Sequence, residues 1–160
     1  MTEIGDAARP VRILLVDDSP GDVSLTEEAL LAGRVANQLH VVEDGEQAID
    51  FMRRRGKYAD APVPDLVLLD LNLPRMDGRE VLRELKGDDN LRHVPVIVLT
   101  TSADERDVLT SYRLHANAYV TKPVEFGEFL LALHQLESFW LQIVRLPTGP
   151  AAAPALPRSR

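Results

Sequence analysis

The stretch that most restricts the fold of this chain is residues 66–78, LVLLDLNLPRMDG. Four consecutive apolar residues, Leu66 to Leu69, end on a single acid, Asp70. A short run without polar alternation is what a strand buried on both faces requires, and both faces are covered only when helices pack above and below. Pro74 and the Asp77-Gly78 pair then stop the strand and turn the chain. Asp70 therefore emerges where the strand leaves the sheet, and in open α/β sheets that carboxyl edge is where ligands bind. A carboxylate beside a dry sheet is costly unless it is paired, metal-bound or used. Its partners decide what the chain does.

Other runs repeat the pattern. Residues 11–16 (VRILLV) end in Asp17-Asp18, residues 94–100 (VPVIVLT) end in Thr100, and residues 118–121 end in Lys122-Pro123. Residues 39–42 are a further short strand signal. Between them lie helical signals. Ser19-Pro20 reads as an N-cap followed by proline at the first helical position, and Gly33 as the stop. Asp44-Gly45-Glu46-Gln47 resembles a capping box opening a second helix that ends in the basic cluster Arg53-Arg54-Arg55-Gly56-Lys57. That cluster suits the negative end of a helix dipole, with glycine as the stop, better than a docking patch for an acidic partner. A third helix runs through Val81, Leu82 and Leu85 to near Gly87, and Ser102 to Glu105 cap a fourth. A fifth spans residues 124–144. Strict β/α alternation implies a parallel sheet with helices on both faces, all strand C-termini meeting at one edge.

Size and composition narrow the function. With 160 residues the chain holds one domain with a proper core. Its boundaries are expected at 1–10 for a flexible N-terminus, 11–146 for the domain and 147–160 for a disordered Pro/Ala-rich tail. A net charge of -7 argues against nucleic acid as a partner. The absence of cysteine removes disulfides, thiolate catalysis and thiolate metal sites. No signal peptide or membrane span is legible, so a cytoplasmic protein without a membrane partner is expected.

At the shared edge, Asp17, Asp18, Asp70, Thr100 and Lys122 converge. Closely packed acids raise one another's pKa unless a cation neutralises them. With no thiolate or imidazole at these strand ends, oxygen ligands select Mg²⁺, with Mn²⁺ a second candidate. None of His40, His93, His115 and His134 has a second ligand at suitable spacing. Asp70 is the natural nucleophile for a phosphoryl group, Lys122 an anion-binding point and Thr100 a hydrogen-bond donor.

Asp17-Asp18, Asp70, Thr100, Tyr119 and Lys122-Pro123 together resemble the receiver domain of two-component response regulators, over roughly residues 11–144. Within that family, RRRGKYADAP before the central strand, LDLNLPRMDG in it, VLTTS in the fourth strand and FWLQIVRLP near the end are similar to the stand-alone regulators associated with bacterial phytochromes. The resemblance implies a flavodoxin-like (βα)5 fold with strand order 2-1-3-4-5. It implies that Asp70 accepts phosphate from a sensor histidine kinase (a bacteriophytochrome, on the subfamily likeness) and that the chain is a signalling switch with no enzymatic output. Asp18 and Asp70 would bind Mg²⁺ directly, Asp17 through water, and the Asn72 main-chain carbonyl would complete the set. Lys122 and Thr100 would bind the phosphoryl group, with Tyr119 following Thr100 inward as the switch reporter. The competing reading is an aspartate-nucleophile, Mg-dependent phosphohydrolase, but that chemistry wants an acid where Asn72 stands. The fifth helix carries Phe126, Phe129, Leu130, Leu133, Leu136, Trp140 and Ile143 at helical spacing, and Leu131 and Phe139 lie off that stripe. A helix apolar over more than its core face marks an interface, so a homodimer through Phe129, Leu133 and Trp140 and the adjoining fifth strand is expected.

Overall fold

In the computed structural model, residues 10–32, 36–101 and 112–122 are described, with 110, 127, 128 and 131 besides. Five strands form one sheet in the order β2-β1-β3-β4-β5. They are β1 (Val11–Val16), β2 (Asn37–Val42), β3 (Leu66–Asp70), β4 (Val96–Thr100) and β5 (Ala118–Thr121). Every neighbouring pair is parallel. Three helices are described: α1 (Pro20–Ala32), α2 (Gly45–Arg53) and α3 (Gly78–Gly87). Of the helices expected from Ser102 and from Val124 onward only a few residues are described, and Phe129, Leu133 and Trp140 lie outside the described residues. No helix among the described residues is long and apolar enough to cross a membrane.

The apolar runs divide by parity between two cores. Ile13, Leu15, Leu66, Leu68, Ile97, Leu99, Ala118 and Val120 face α1 through Leu30. Leu14, Val16, Val67, Leu69, Val96 and Val98 face α2 and α3 through Phe51, Met52, Val81 and Leu82. This explains the missing alternation: consecutive residues of β3 are buried on opposite faces, and all five positions are closed to solvent.

Several boundaries differ from the sequence expectation for identifiable reasons. β2 begins two residues earlier, because polar Asn37 and Gln38 pair with Val11 and Arg12 at the sheet edge. β4 begins at Val96, since Val94 N–H donates to Leu91 in a turn while its side chain stays in the core. α2 stops at Arg53, not at Gly56. Arg54 takes the left-handed C-cap conformation (φ 57°, ψ 50°), and Gly56 opens a 3-10 turn, Gly56–Tyr58. The basic cluster is structural there: Arg53 pairs with Glu84 at 3.1 Å and Asp88 at 3.2 Å, and Arg55 with Asp50 at 3.5 Å.

Caps set the helix starts. Ser19 Oγ accepts the Asp22 N–H (3.3 Å), and Asp44 Oδ1 accepts the Gln47 N–H (2.8 Å) while Gln47 Oε1 accepts from Glu43 N–H (2.9 Å). In α3 the capping box is Asp77 with Glu80. Gly78, its first residue, packs so closely on the end of β3 that a Cβ would meet the Asp70 carbonyl oxygen and lie 2.6 Å from Leu71 Cα. At the other end of α3, Lys86 Nζ donates to Arg92 O (3.1 Å), Val94 O (2.9 Å) and Asn117 Oδ1 (3.0 Å), tying α3 to the segments that lead into β4 and β5.

Gly78→Ala is expected to destabilise the fold by about 1–3 kcal/mol in urea denaturation, because backbone atoms of β3 have to give way. Burial pushes the Lys86 ammonium down to about 8. Between that value and the ordinary 10.5 the folded protein binds fewer protons than the unfolded chain, so stability rises with pH across that window. Urea denaturation at pH 7 and pH 10 should show wild type gaining stability relative to Lys86→Met at the higher pH.

Candidate phosphoacceptor site at the carboxyl edge of the sheet

β3 ends on Asp70, between β1 and β4, the two central neighbours in the sheet. One residue past β1, Asp17 is fixed by its own N–H, which donates to Val42 O at 3.0 Å. Lys122 follows β5 and its N–H donates to Thr100 O at 2.8 Å. Asp17, Asp70 and Lys122 continue the parity of Leu15, Leu68 and Val120, so the three project on the α1 side of the sheet edge.

Each buried acid is oriented in the same way. Asp70 Oδ1 accepts the Asn72 N–H (3.0 Å) and Asp17 Oδ1 accepts the Ser19 N–H (3.0 Å), both two residues on. That leaves both Oδ2 atoms facing Lys122. Its Nζ lies 2.8 Å from Asp17 Oδ2, 3.1 Å from Asp70 Oδ2 and 2.9 Å from Asp22 Oδ2, with only 5% of the lysine side chain exposed. Asp17 Oδ2 is ion-paired at that distance but has no aligned hydrogen-bond donor. Asp18 is exposed, and its carboxylate completes a group with Asp17 and Asp70 in which one oxygen from each lies within 4.8 Å of the others.

The electrostatics show a site rich in negative charge. Burial pushes the Asp70 carboxyl above the ordinary carboxylate value of 3.8, although the Asn72 N–H and Lys122 pull it down; nearby Asp17 adds to the rise. Burial alone would lower Lys122, but its close contacts with Asp17 and Asp22 and the charges of Asp70 and Asp17 hold it above its usual range. One lysine thus serves several acids and leaves one of them, Asp17, with an oxygen lacking a directed donor. A hard divalent cation bound by carboxylate oxygens fits that deficit and that donor set.

Thr100 and Tyr119 fall on the opposite parity. Thr100 is fully buried at the end of β4, and Tyr119 packs against the core that faces α2 and α3. In the β4–β5 register Thr100 is opposite Thr121 and Val98 opposite Tyr119, so the two share a face, one strand and two residues apart. Asn72 is exposed, and the contact it makes is through its N–H. Among the sequence-derived candidates, Asp17, Asp18, Asp70 and Lys122 come together directly. Asp22 was not among the candidates. An acid in the first turn of a helix serves the dipole by default, and only the fold, closing 100 residues of separation, shows it on Lys122.

Residues 13–134 match the family described as the response regulator receiver domain. The chain belongs to that family. Along 91% of its length this receiver is 44% identical to the whole of response regulator Rcp1 of Synechocystis sp.. Among solved structures it is similar to the bacteriophytochrome response regulator AtBRR, at 47% identity and a TM-score of 0.76, covering 82% of this chain and 96% of that one. It is likewise similar to the phosphorylated cyanobacterial phytochrome response regulator RcpA, at 44% identity and a TM-score of 0.71, covering 88% and 100%. The fold and strand order are those of the family.

Removing the ammonium from this receiver should leave buried acids uncompensated. Lys122→Ala is expected to lose about 3–5 kcal/mol in urea denaturation with chelator present. Adding Asp70→Asn should recover part of that loss.

Proposed function

We propose that the chain is the receiver of a two-component phosphorelay, in which Asp70 accepts a phosphoryl group from a phosphohistidine on a sensor histidine kinase. The observation that carries this reading is Asp70 itself: an acid almost closed to solvent at the carboxyl end of the central strand, with Lys122 at 3.1 Å and two further acids close enough to share a cation. An Asp70 oxygen forms the new O–P bond as the P–N bond of the donor breaks, and the imidazole leaves with the electron pair. Lys122 stays charged and meets the added negative charge. Asn72 N–H holds the second face of the carboxylate so that its remaining lone pairs point into the site.

Asp17, Asp18 and Asp70, with the Asn72 main-chain carbonyl, would hold Mg²⁺, and Mn²⁺ suits the same oxygens. When bound, such an ion supplies neutralisation of phosphoryl and carboxylate charge. The relative Rcp1 has a structure in a Mn²⁺-bound form, which supports the assignment.

Readout runs along the opposite face of the sheet edge. The Thr100 hydroxyl turns toward the phosphoryl group, Tyr119 follows inward, and the surface beyond them changes shape. Lys122 N–H on the Thr100 carbonyl ties the two phosphate-binding residues to each other across the ends of β4 and β5. The likeness to phytochrome-associated regulators supports a bacteriophytochrome as the kinase. Output passes through partner contacts or through a homodimer built on Phe129, Leu133 and Trp140 and the adjoining fifth strand. Domain limits of 11–146 and a cytoplasmic location complete the proposal.

Incubation with Mg²⁺ and a small acyl-phosphate donor should place an acid-stable, base-labile phosphate on the chain, and Asp70→Asn should abolish it. Repeated release of phosphate from an external substrate would instead support a hydrolase. No labelling from either the donor or a kinase would reduce the chain to an adaptor.

A further inference from the structure

Lys122 has one carboxylate partner more than phosphoryl transfer uses. Two of its three, Asp17 at 2.8 Å and Asp70 at 3.1 Å, belong to the acid triad. The third, Asp22 at 2.9 Å, does not: among the described residues the acids close enough to share a cation are Asp17, Asp18 and Asp70. Asp22 is set by the first turn of α1, where its N–H donates to Ser19 Oγ. Its side chain is 33% exposed, against 0% for Asp17 and 7% for Asp70.

Two cations therefore compete for the same carboxylates. The ammonium sits on Asp17 Oδ2 and Asp70 Oδ2, and a divalent ion drawn to the triad needs lone pairs of the same carboxylates. A lysine displaced from both, with 5% of its side chain exposed, would be a stranded charge, and stranded buried charges are expensive. Asp22 is an anion within bonding distance that the metal does not claim. We propose that Asp22 is a positioning residue for Lys122, an anchor that keeps the ammonium at the site while a divalent cation takes over Asp17 and Asp70. Exchange of one cation for the other then leaves no charge unpaired. The inference rests on the reading of the triad as a divalent-cation site and is independent of phosphoryl transfer.

Calorimetric titration with Mg²⁺ tests it on the wild type, Asp22→Asn, Lys122→Met and the double variant. Asp22→Asn should weaken Mg²⁺ binding by about three- to tenfold when Lys122 is present, and by less than about twofold in the Lys122→Met background, because coupled neighbours are non-additive. An equal loss in both backgrounds would mean that Asp22 acts only as a distant charge, and overturns the proposal, as does no loss in either. Failure of the wild type to bind Mg²⁺ overturns the metal-site reading and this proposal with it. Should Lys122→Met not fold, the Lys122 Nζ protons decide by NMR at saturating Mg²⁺. Slow exchange is expected in wild type and its loss in Asp22→Asn; identical exchange in both overturns the proposal.

Discussion

One ammonium among buried carboxylates holds the functional edge of this protein together. Lys122 reaches Asp17, Asp22 and Asp70, and so links the loop after β5 to the ends of β1 and β3 and to the first turn of α1. None of these contacts is local in sequence. Acids this close, some shut off from water, would repel one another strongly in a low-dielectric setting. The Asp70 carboxyl is raised chiefly by burial, with Asp17 adding to the rise, while Lys122 and the Asn72 N–H pull it down. A site left short of positive charge attracts a cation, and the pairing that makes the fold tolerable is also what the proposed phosphoryl transfer would draw on.

The sheet turns this pairing into a device with two sides. Because β3, β4 and β5 are parallel and in register, residue parity decides which face of the edge a side chain joins. Asp17, Asp70 and Lys122 follow one parity, while Thr100 and Tyr119 follow the other, over the core of α2 and α3. The two faces are joined through the backbone at the end of β4, where Lys122 N–H donates to Thr100 O. The close packing of Gly78 on the end of β3 leaves little slack in the loop that frames Asp70.

Much of this was legible in the residues. Largely apolar runs leading to Asp17, Asp70, Thr100 and Lys122 sufficed to place those groups on one edge, since parallel strands present their carboxyl ends together. Strand order came from the family resemblance, because hydrophobic periodicity carries no information about which strand lies beside which. Boundaries were missed where tertiary pairing overrode local preference, as at Asn37 and Gln38 on the sheet edge. At Arg54, a left-handed residue ended α2 two positions before the expected glycine. Asp22 escaped notice because a helix first-turn acid has a sufficient local explanation, and its partner is 100 residues away.

The central claim is that Asp70, Lys122 and the acid triad form a trap for a phosphoryl group. Beryllofluoride, a tetrahedral phosphoryl mimic that coordinates carboxylate, tests the trap without any donor or kinase. In ¹⁹F NMR, wild type with Mg²⁺ should show bound fluoride resonances that vanish on chelation and are missing in Asp70→Asn. Bound resonances that persist in Asp70→Asn, or none in the wild type at saturating Mg²⁺, would contradict the account.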